Sequence, residues 1–290
     1  MPKFDIAFFL SNKIKQYDEQ QERNPSTKIL KGAEPLELGD KDSDIALLMV
    51  HGFSGCPTDF EKLPYNLANL GIFIKVILLP GHGTSPLDFE KISADLLLDA
   101  VVDEIINLKK HYKTVLVIGH SMGGALATLA YVKIPFDGLI LAAPYYGITF
   151  NPRLIFPPEK WIQLLSPFIR FVYTPPENQP ILKKEVANQI ISYHWIPTKA
   201  GLVAMKIAER AKKESILEQI TCPVLLIHSK KDSVASPECA KNAFEKMASE
   251  NKDILWLENS DHVIFWDYDK EIVGEKIKDF IYQFINRKGT

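Results

Sequence analysis

The sequence predicts a doubly wound α/β sheet, and two regularities along the chain support this prediction. Short apolar runs rich in Val, Ile and Leu, without alternating polar residues, are typical of parallel strands that are covered on both faces. Segments with helical periodicity lie between these runs, so strands and helices alternate. The predicted strands are 45–50, 72–79, 115–118, 138–142, 224–228 and 253–257, and the predicted helices are 58–69, 94–111, 122–133, 238–249 and 269–284.

The alternation is interrupted between Ile148 and about Ala204, where no clear strand is found and prolines cluster. The segment is too long for an ordinary loop, and its apolar stretch "WIQLLSPFIRFV" is broken by Pro167. We therefore predict a mostly helical cap inserted over the carboxyl ends of the strands, where open α/β sheets bind ligands. Trp161 and Phe168 are the cap side chains expected to contact the substrate.

These boundaries divide the chain into three parts. Residues 1–147 are expected to hold an N-terminal extension and the first part of the core, residues 148–204 the cap, and residues 205–290 the second part of the core.

Composition excludes several classes of protein. The net charge of −2 over 290 residues leaves no basic footprint for nucleic acid. No apolar run approaches the ~18 residues that a membrane span needs, and the first ten residues make a poor signal peptide. The three cysteines are far apart, in neither a disulfide nor a metal-binding spacing, so we expect a cytoplasmic protein.

Ser121 is the candidate nucleophile. It lies in Gly119-His120-Ser121-Met122-Gly123, between a predicted buried strand and a predicted helix that is rich in small residues. This is the pattern of a nucleophile elbow, a turn so tight that only glycine fits on either side while the serine hydroxyl is held above the sheet.

A serine needs a base, and the base needs an acid that orients it. His262 follows the last predicted strand in "ENSDHVIF", which suits a base in the chain order serine, acid, histidine. Asp232 follows the preceding strand and is the expected acid. Asp261 competes with it, but a sequence neighbour of the histidine is poorly placed to reach the same imidazole.

The tetrahedral intermediate of acyl transfer also needs backbone donors for its oxygen. The loop "HGFSG" follows the first long strand, and the amide of Phe53 is expected to form an oxyanion hole with the amide of Met122. The Phe53 side chain is also expected to line the substrate pocket.

Five ordered motifs, "HGFSG", "LPGHGTSP", "GHSMGG", "HSKKD" and "NSDHV", together resemble the α/β-hydrolase superfamily, in the branch of bacterial carboxylesterases and monoacylglycerol lipases. The resemblance extends from about Ile45 to the end of the chain. It implies the α/β-hydrolase fold, a triad of Ser121, Asp232 and His262, and an oxyanion hole from Phe53 and Met122. Serine rather than aspartate in the elbow disfavours a haloalkane dehalogenase.

The sequence therefore predicts a serine hydrolase of carboxylic esters with short to medium acyl chains, which uses no cofactor and no metal. A thioesterase or acyltransferase with the same triad is the alternative within the class, and a non-catalytic ligand-binding member of the fold is the alternative outside it. The segment "FDIAFFLSNKIKQY", residues 4–17, is either a helix docked on the body or a peripheral contact with a lipid surface.

Overall fold

A computed structural model describes the backbone of residues 6–149 and 158–286, and the side chains of residues 12–149, 159–160 and 162–286. The strands are β1 (Leu36–Gly39), β2 (Ile45–Val50), β3 (Phe73–Val76), β4 (Thr114–His120), β5 (Gly138–Ala142), β6 (Phe171–Tyr173), β7 (Trp195–Pro197), β8 (Val224–Ser229) and β9 (Lys252–Leu257). The α-helices are α1 (Ile6–Glu19), α2 (Leu63–Ala68), α3 (Pro86–Phe89), α4 (Ala94–Lys109), α5 (Met122–Lys133), α6 (Pro158–Leu165), α7 (Thr198–Ala211), α8 (Glu214–Leu217), α9 (Pro237–Glu245) and α10 (Lys270–Ile285).

Seven strands form one sheet in the order β1-β3-β2-β4-β5-β8-β9, in which every pair except β1–β3 is parallel. The chain passes from β2 to β3 on one side and then returns to β4 on the other, so the strand order reverses between β2 and β4. Val50 is paired with Gly119 at the carboxyl ends of these two strands. The loops that follow them therefore leave the sheet side by side, at the position where doubly wound sheets bind ligands.

Helices cover both faces of the sheet. Leu48 and Val117 belong to a buried cluster with α4, α5 and α7, whereas their neighbours Leu47 and Leu116 belong to a second cluster with α2 and α10. Because both faces are buried, the residues of β2 and β5 are all apolar. The predicted α/β-hydrolase fold with a mostly parallel sheet is confirmed.

The strand β1 was not predicted from the sequence. This strand is four residues long, pairs antiparallel at the edge of the sheet, and alternates half-buried and exposed residues. It therefore lacks the mostly apolar run by which the other strands of the main sheet are recognised.

The insertion is less helical than expected. It contains β6 and β7, which pair antiparallel, and two short 3₁₀ helices at Pro176–Asn178 and Lys184–Gln189. Strands of three residues are too short to show a period. The predicted end of the insertion at residue 204 falls inside α7, whose buried Ala204 and Ile207 pack in the same cluster as α5.

The part of the N-terminal helix α1 whose side chains are described packs against the rest of the protein. Ile14 is fully buried, and the Tyr17 ring lies 5.8 Å from the His194 ring of the insertion. The apolar residues that prompted the prediction of contact with a lipid surface, from Phe4 onward, have side chains outside the described ranges. In the described parts of the chain, no helix combines the length and the apolar character needed to cross a membrane.

Candidate active site

Ser121 lies in the turn between β4 and α5, with φ 52° and ψ −118°. A positive φ is uncommon for a residue with a side chain, so this turn is strained. A Cβ added to Gly123 would lie 2.2 Å from the carbonyl oxygen of Val50, and one added to Gly119 would lie 2.3 Å from the carbonyl oxygen of Gly123. Both flanking positions therefore require glycine, as the motif suggested.

Three side chains from separate loops form a hydrogen-bonded chain at this turn. His262 Nε2 lies 2.8 Å from Ser121 Oγ, and His262 Nδ1 lies 2.8 Å from Asp232 Oδ2. The other carboxylate oxygen of Asp232 accepts the amides of Val234 and Ala235 at 2.8 and 2.7 Å. Since all three side chains are buried, the imidazole is held between the serine and the carboxylate with little competition from water.

The Asp261 carboxylate forms its hydrogen bonds to groups other than the imidazole ring. One of its carboxylate oxygens accepts the amides of Ser233 and His262 at 2.7 and 2.8 Å, and the other accepts the Ser233 hydroxyl at 3.0 Å. It therefore connects the loop after β8 to the loop after β9. Of the two carboxylates, Asp232 is the one that lies within hydrogen-bond distance of the imidazole nitrogen Nδ1.

The electrostatics of the pair favour a charged imidazole. Burial lowers the pKa of His262, but the neighbouring Asp232 carboxylate outweighs this effect, so the pKa lies above its ordinary value. Burial likewise raises the pKa of Asp232, and the charge and hydrogen bond of His262 reverse that, so the carboxyl pKa is lowered. An imidazole in this setting is a good acceptor for a serine proton.

The Gly52–Phe53 peptide lies beside the elbow and is held from one side by His51. The backbone amide of Leu79 donates to His51 Nε2 at 3.0 Å, so Nδ1 carries the ring proton and donates to the carbonyl oxygen of Gly52 at 2.9 Å. The Phe53 N–H belongs to the same trans peptide as the Gly52 carbonyl, so it points in the opposite direction to that carbonyl. Among the described residues, no hydrogen bond engages the amide of Phe53 or that of Met122, so both are available to an oxygen bound above Ser121.

A cavity of about 340 Å³ opens above Ser121 and His262, between the core and the insertion. One group of lining side chains is apolar: Phe53, Val172, Pro180, Ile190, Tyr193, Ile196, Val234 and Val263. The other group is polar: Ser54, Asp59, His120, Thr174, Asn178, Gln179 and Ser192. Most of both groups come from the insertion, which therefore forms the roof of the site.

Phe168, one of the two cap residues predicted to contact substrate, is not among the described residues that line this cavity. Phe168 is 84% exposed at the surface, and the side chain of Trp161 is outside the described ranges. Val172 and Ile196, which face each other across the β6–β7 pair, lie over the site instead. Sequence reasoning missed them because it selected the largest apolar residues and predicted no strands in this segment.

Comparison with known proteins agrees with this geometry. The chain is 27% identical over 261 residues to a thermostable monoacylglycerol lipase of Bacillus sp. strain H-257, covering 87% of this chain and 95% of the relative. Among solved structures, it matches one of the metagenome-derived lipolytic enzymes LipS and LipT with a TM-score of 0.78 and 28% identity, over 88% of this chain and 99% of the other. A monoglyceride lipase from Saccharomyces cerevisiae matches with a TM-score of 0.71 at 16% identity, over 85% and 90% of the two chains, and this supports the fold.

The family model described as serine aminopeptidase, S33 (Hydrolase_4) matches residues 41–269. This range includes the loop after β2, the elbow, and the loops that carry Asp232 and His262. The chain belongs to this family of α/β-hydrolases.

Proposed function

We propose that this chain is a serine hydrolase that cleaves carboxylic esters through an acyl-enzyme on Ser121. The observation that carries the proposal is the continuous chain from Ser121 Oγ through His262 to Asp232, with both distances 2.8 Å, at the floor of a partly apolar cavity. The similarity to lipases and carboxylesterases, among them a carboxylesterase of Bacillus subtilis, supports the same reaction.

In this proposal each group has a role in two half-reactions. His262 Nε2 takes the hydroxyl proton as Ser121 Oγ attacks the acyl carbon, and Asp232 stabilises the imidazolium that forms. The amides of Phe53 and Met122 bind the oxygen that becomes negatively charged. The imidazolium then gives its proton to the departing alcohol. Water repeats the cycle on the acyl-enzyme, releasing the carboxylic acid and restoring Ser121.

The lining of the cavity indicates the kind of ester. Val172, Ile190 and Ile196 offer an apolar surface for an acyl chain, while Asn178 and Gln179 offer hydrogen-bonding groups for an alcohol. An ester of a short to medium fatty acid with a small hydroxylated alcohol, such as a monoacylglycerol, satisfies both surfaces. Because apolar and polar groups are both present, we favour this class over a wax-like ester.

A panel of p-nitrophenyl esters and monoacylglycerols of graded chain length tests the assignment. We expect hydrolysis of both series with water as the acceptor. Faster turnover of acyl thioesters, or transfer of the acyl group to an added alcohol in preference to water, would favour the thioesterase or acyltransferase alternative. If none of these substrates is turned over, the non-catalytic ligand-binding alternative would be favoured.

As the pH is lowered, the activity should be lost at a higher pH than it would be with a histidine of ordinary pKa. Only neutral His262 can accept the serine proton, and its pKa lies above the ordinary value of 6.5. We therefore expect kcat/KM to rise with pH along a limb whose midpoint lies above 6.5. Two esters with different leaving groups should give the same midpoint, since it belongs to the free enzyme. A midpoint below the ordinary value would contradict the assignment of His262 as the Asp232-paired base.

Chain-length preference should depend on the β6–β7 pair. A buried methylene is worth about 0.8 kcal/mol, so each carbon that fits should raise kcat/KM about four-fold until the cavity is full. Ile196→Ala enlarges the cavity and should move the optimum to longer acyl chains. The measurement is kcat/KM for p-nitrophenyl esters from acetate to laurate.

Phe168→Ala is the matched control, because it removes a large apolar side chain from the same insertion but from its exposed surface. We expect its chain-length profile to coincide with that of the wild type. If Phe168→Ala moved the optimum and Ile196→Ala did not, the acyl chain would lie elsewhere than in this cavity.

A further inference from the structure

A buried carboxylate that the triad does not use lies beneath the Gly52–Phe53 loop. Asp59 is 6% exposed, and three N–H groups converge on it. Its Oδ2 accepts the amide of Gly52 at 2.9 Å and lies 3.3 Å from Nδ1 of His120, while its Oδ1 accepts the amide of Cys56 at 3.3 Å. A carboxylate is the only side chain of this size that can accept from all three.

His120 carries this contact to the two other loops of the site. It immediately precedes Ser121 in the elbow, and its Nε2 lies 3.3 Å from the backbone carbonyl oxygen of His262. Its ring centroid is 5.3 Å from that of His262. The Asp59–His120 pair thus joins the loop after β2, the elbow after β4 and the loop after β9.

The close approach of Gly52 to the nucleophile makes this contact matter. A Cβ added to Gly52 would lie 3.1 Å from Ser121 Cβ and 3.3 Å from Asp59 Oδ2. The carbonyl of Gly52 is already held by His51, as described above. With its N–H held by Asp59, Gly52 is fixed on both sides, and the direction of the next amide, that of Phe53, is fixed with it.

We propose that Asp59 and His120 are positioning residues that hold the Phe53 amide where the oxyanion forms, and that link this amide to the elbow and to the base. This inference rests on the proposed function, because it assumes that Phe53 and Met122 bind the oxyanion. Burial raises the pKa of Asp59, but the hydrogen bond and charge of His120 outweigh burial and lower the pKa, so the carboxylate stays ionised as an acceptor.

Asp59→Asn is the test, because the asparagine side chain offers one acceptor oxygen and one NH₂ group to the same N–H donors. One donor then faces another donor, and the loop must shift. Loss of an oxyanion donor costs about 10²–10³-fold in kcat. Displacement of such a donor should lower kcat less than its complete loss does. We therefore expect kcat for p-nitrophenyl butyrate to fall about 10- to 100-fold while KM changes less than about three-fold.

A second readout separates positioning from simple loss of stability. A trifluoromethyl ketone forms a tetrahedral adduct with the serine and places an oxyanion in the hole. Its affinity for Asp59→Asn should fall in parallel with kcat. Unchanged kcat and inhibitor affinity in the folded variant would overturn the proposal, as would a lower melting temperature with both values unaltered.

Asp137→Asn is the control variant. Asp137 also accepts a backbone amide, that of Val115 at 2.8 Å, but at the end of β4 opposite to the elbow. Its kcat and inhibitor affinity should stay within about two-fold of the wild type. An equal loss in both variants would show that the effect is not specific to the oxyanion loop, and would overturn the proposal.

If Asp59→Asn does not fold, two variants of His120 carry the test. The amide of His120→Gln can still donate to Asp59, whereas His120→Ala leaves that position empty. We expect the glutamine variant to retain more kcat and more inhibitor affinity than the alanine variant. Equal or reversed values would overturn the proposal. If the wild type hydrolyses esters but the variants contradict the positioning proposal, the ester-hydrolase assignment still holds. If the wild type itself is inactive, the ester-hydrolase assignment is refuted.

Discussion

Ser121→Ala should abolish ester hydrolysis while the protein stays folded. Without the attacking oxygen no acyl-enzyme can form. In other serine hydrolases, replacement of the triad nucleophile lowers kcat by roughly 10⁶-fold. Serine and alanine experience the same restriction at φ 52°, so the substitution adds no backbone strain. Hydrolysis of p-nitrophenyl butyrate and thermal unfolding of the same preparation measure the two halves of this expectation.

A fluorophosphonate probe identifies the reactive serine directly. In the wild type, mass spectrometry of the peptides should find the adduct at Ser121, and the alanine variant should remain unlabelled. Ser192→Ala is the matched control, since Ser192 lines the same cavity but its Oγ accepts from the side-chain amide of Gln179. That variant should still be labelled at Ser121. An adduct on Ser192, or hydrolysis by Ser121→Ala at the wild-type rate, would end the assignment.

The strands of the main sheet that were predictable share one physical property, a mostly apolar run. β2 and β5 were predicted with their bounds, because these buried parallel strands carry no polar side chain on either face. The edge strand β1 has solvent on one face and carries Glu37 within it, so the same criterion cannot detect it. Burial, rather than strand character itself, is what the sequence reveals.

The proximity of Ser121, His262 and Asp232 was predictable because each residue follows a recognisable strand. The order of the strands in the sheet was not needed, since carboxyl ends of parallel strands meet at one edge. The roof of the cavity was harder to predict, because Val172 and Ile196 depend on a pairing between two three-residue strands more than 20 positions apart. The role of Asp59 was likewise hidden, because its partners come together only through the adjacency of β2 and β4.

Asp232→Asn should lower kcat by about four orders of magnitude, the typical cost of removing the charge of a triad acid. The carboxylate accepts the proton of His262 Nδ1 at 2.8 Å and so leaves Nε2 unprotonated toward Ser121. Asparagine can present its NH₂ group to Nδ1 instead, which stabilises the other tautomer and places a proton on Nε2. The base is then blocked even though every ring atom is in place.

Asp261→Asn provides the comparison, because the two residues lie in the same pair of loops and the change in charge is identical. Asp261 accepts two backbone amides and a hydroxyl but no hydrogen bond from the imidazole ring, so its replacement should loosen the loops and reduce kcat by at most about ten-fold. Steady-state kinetics of the two variants on one ester, with circular dichroism to show that both are folded, measure the difference. A larger loss in Asp261→Asn than in Asp232→Asn would mean that the wrong carboxylate has been assigned to the base. The geometry predicts the opposite order, because only the Asp232 carboxylate contacts the nitrogen whose proton decides the tautomer.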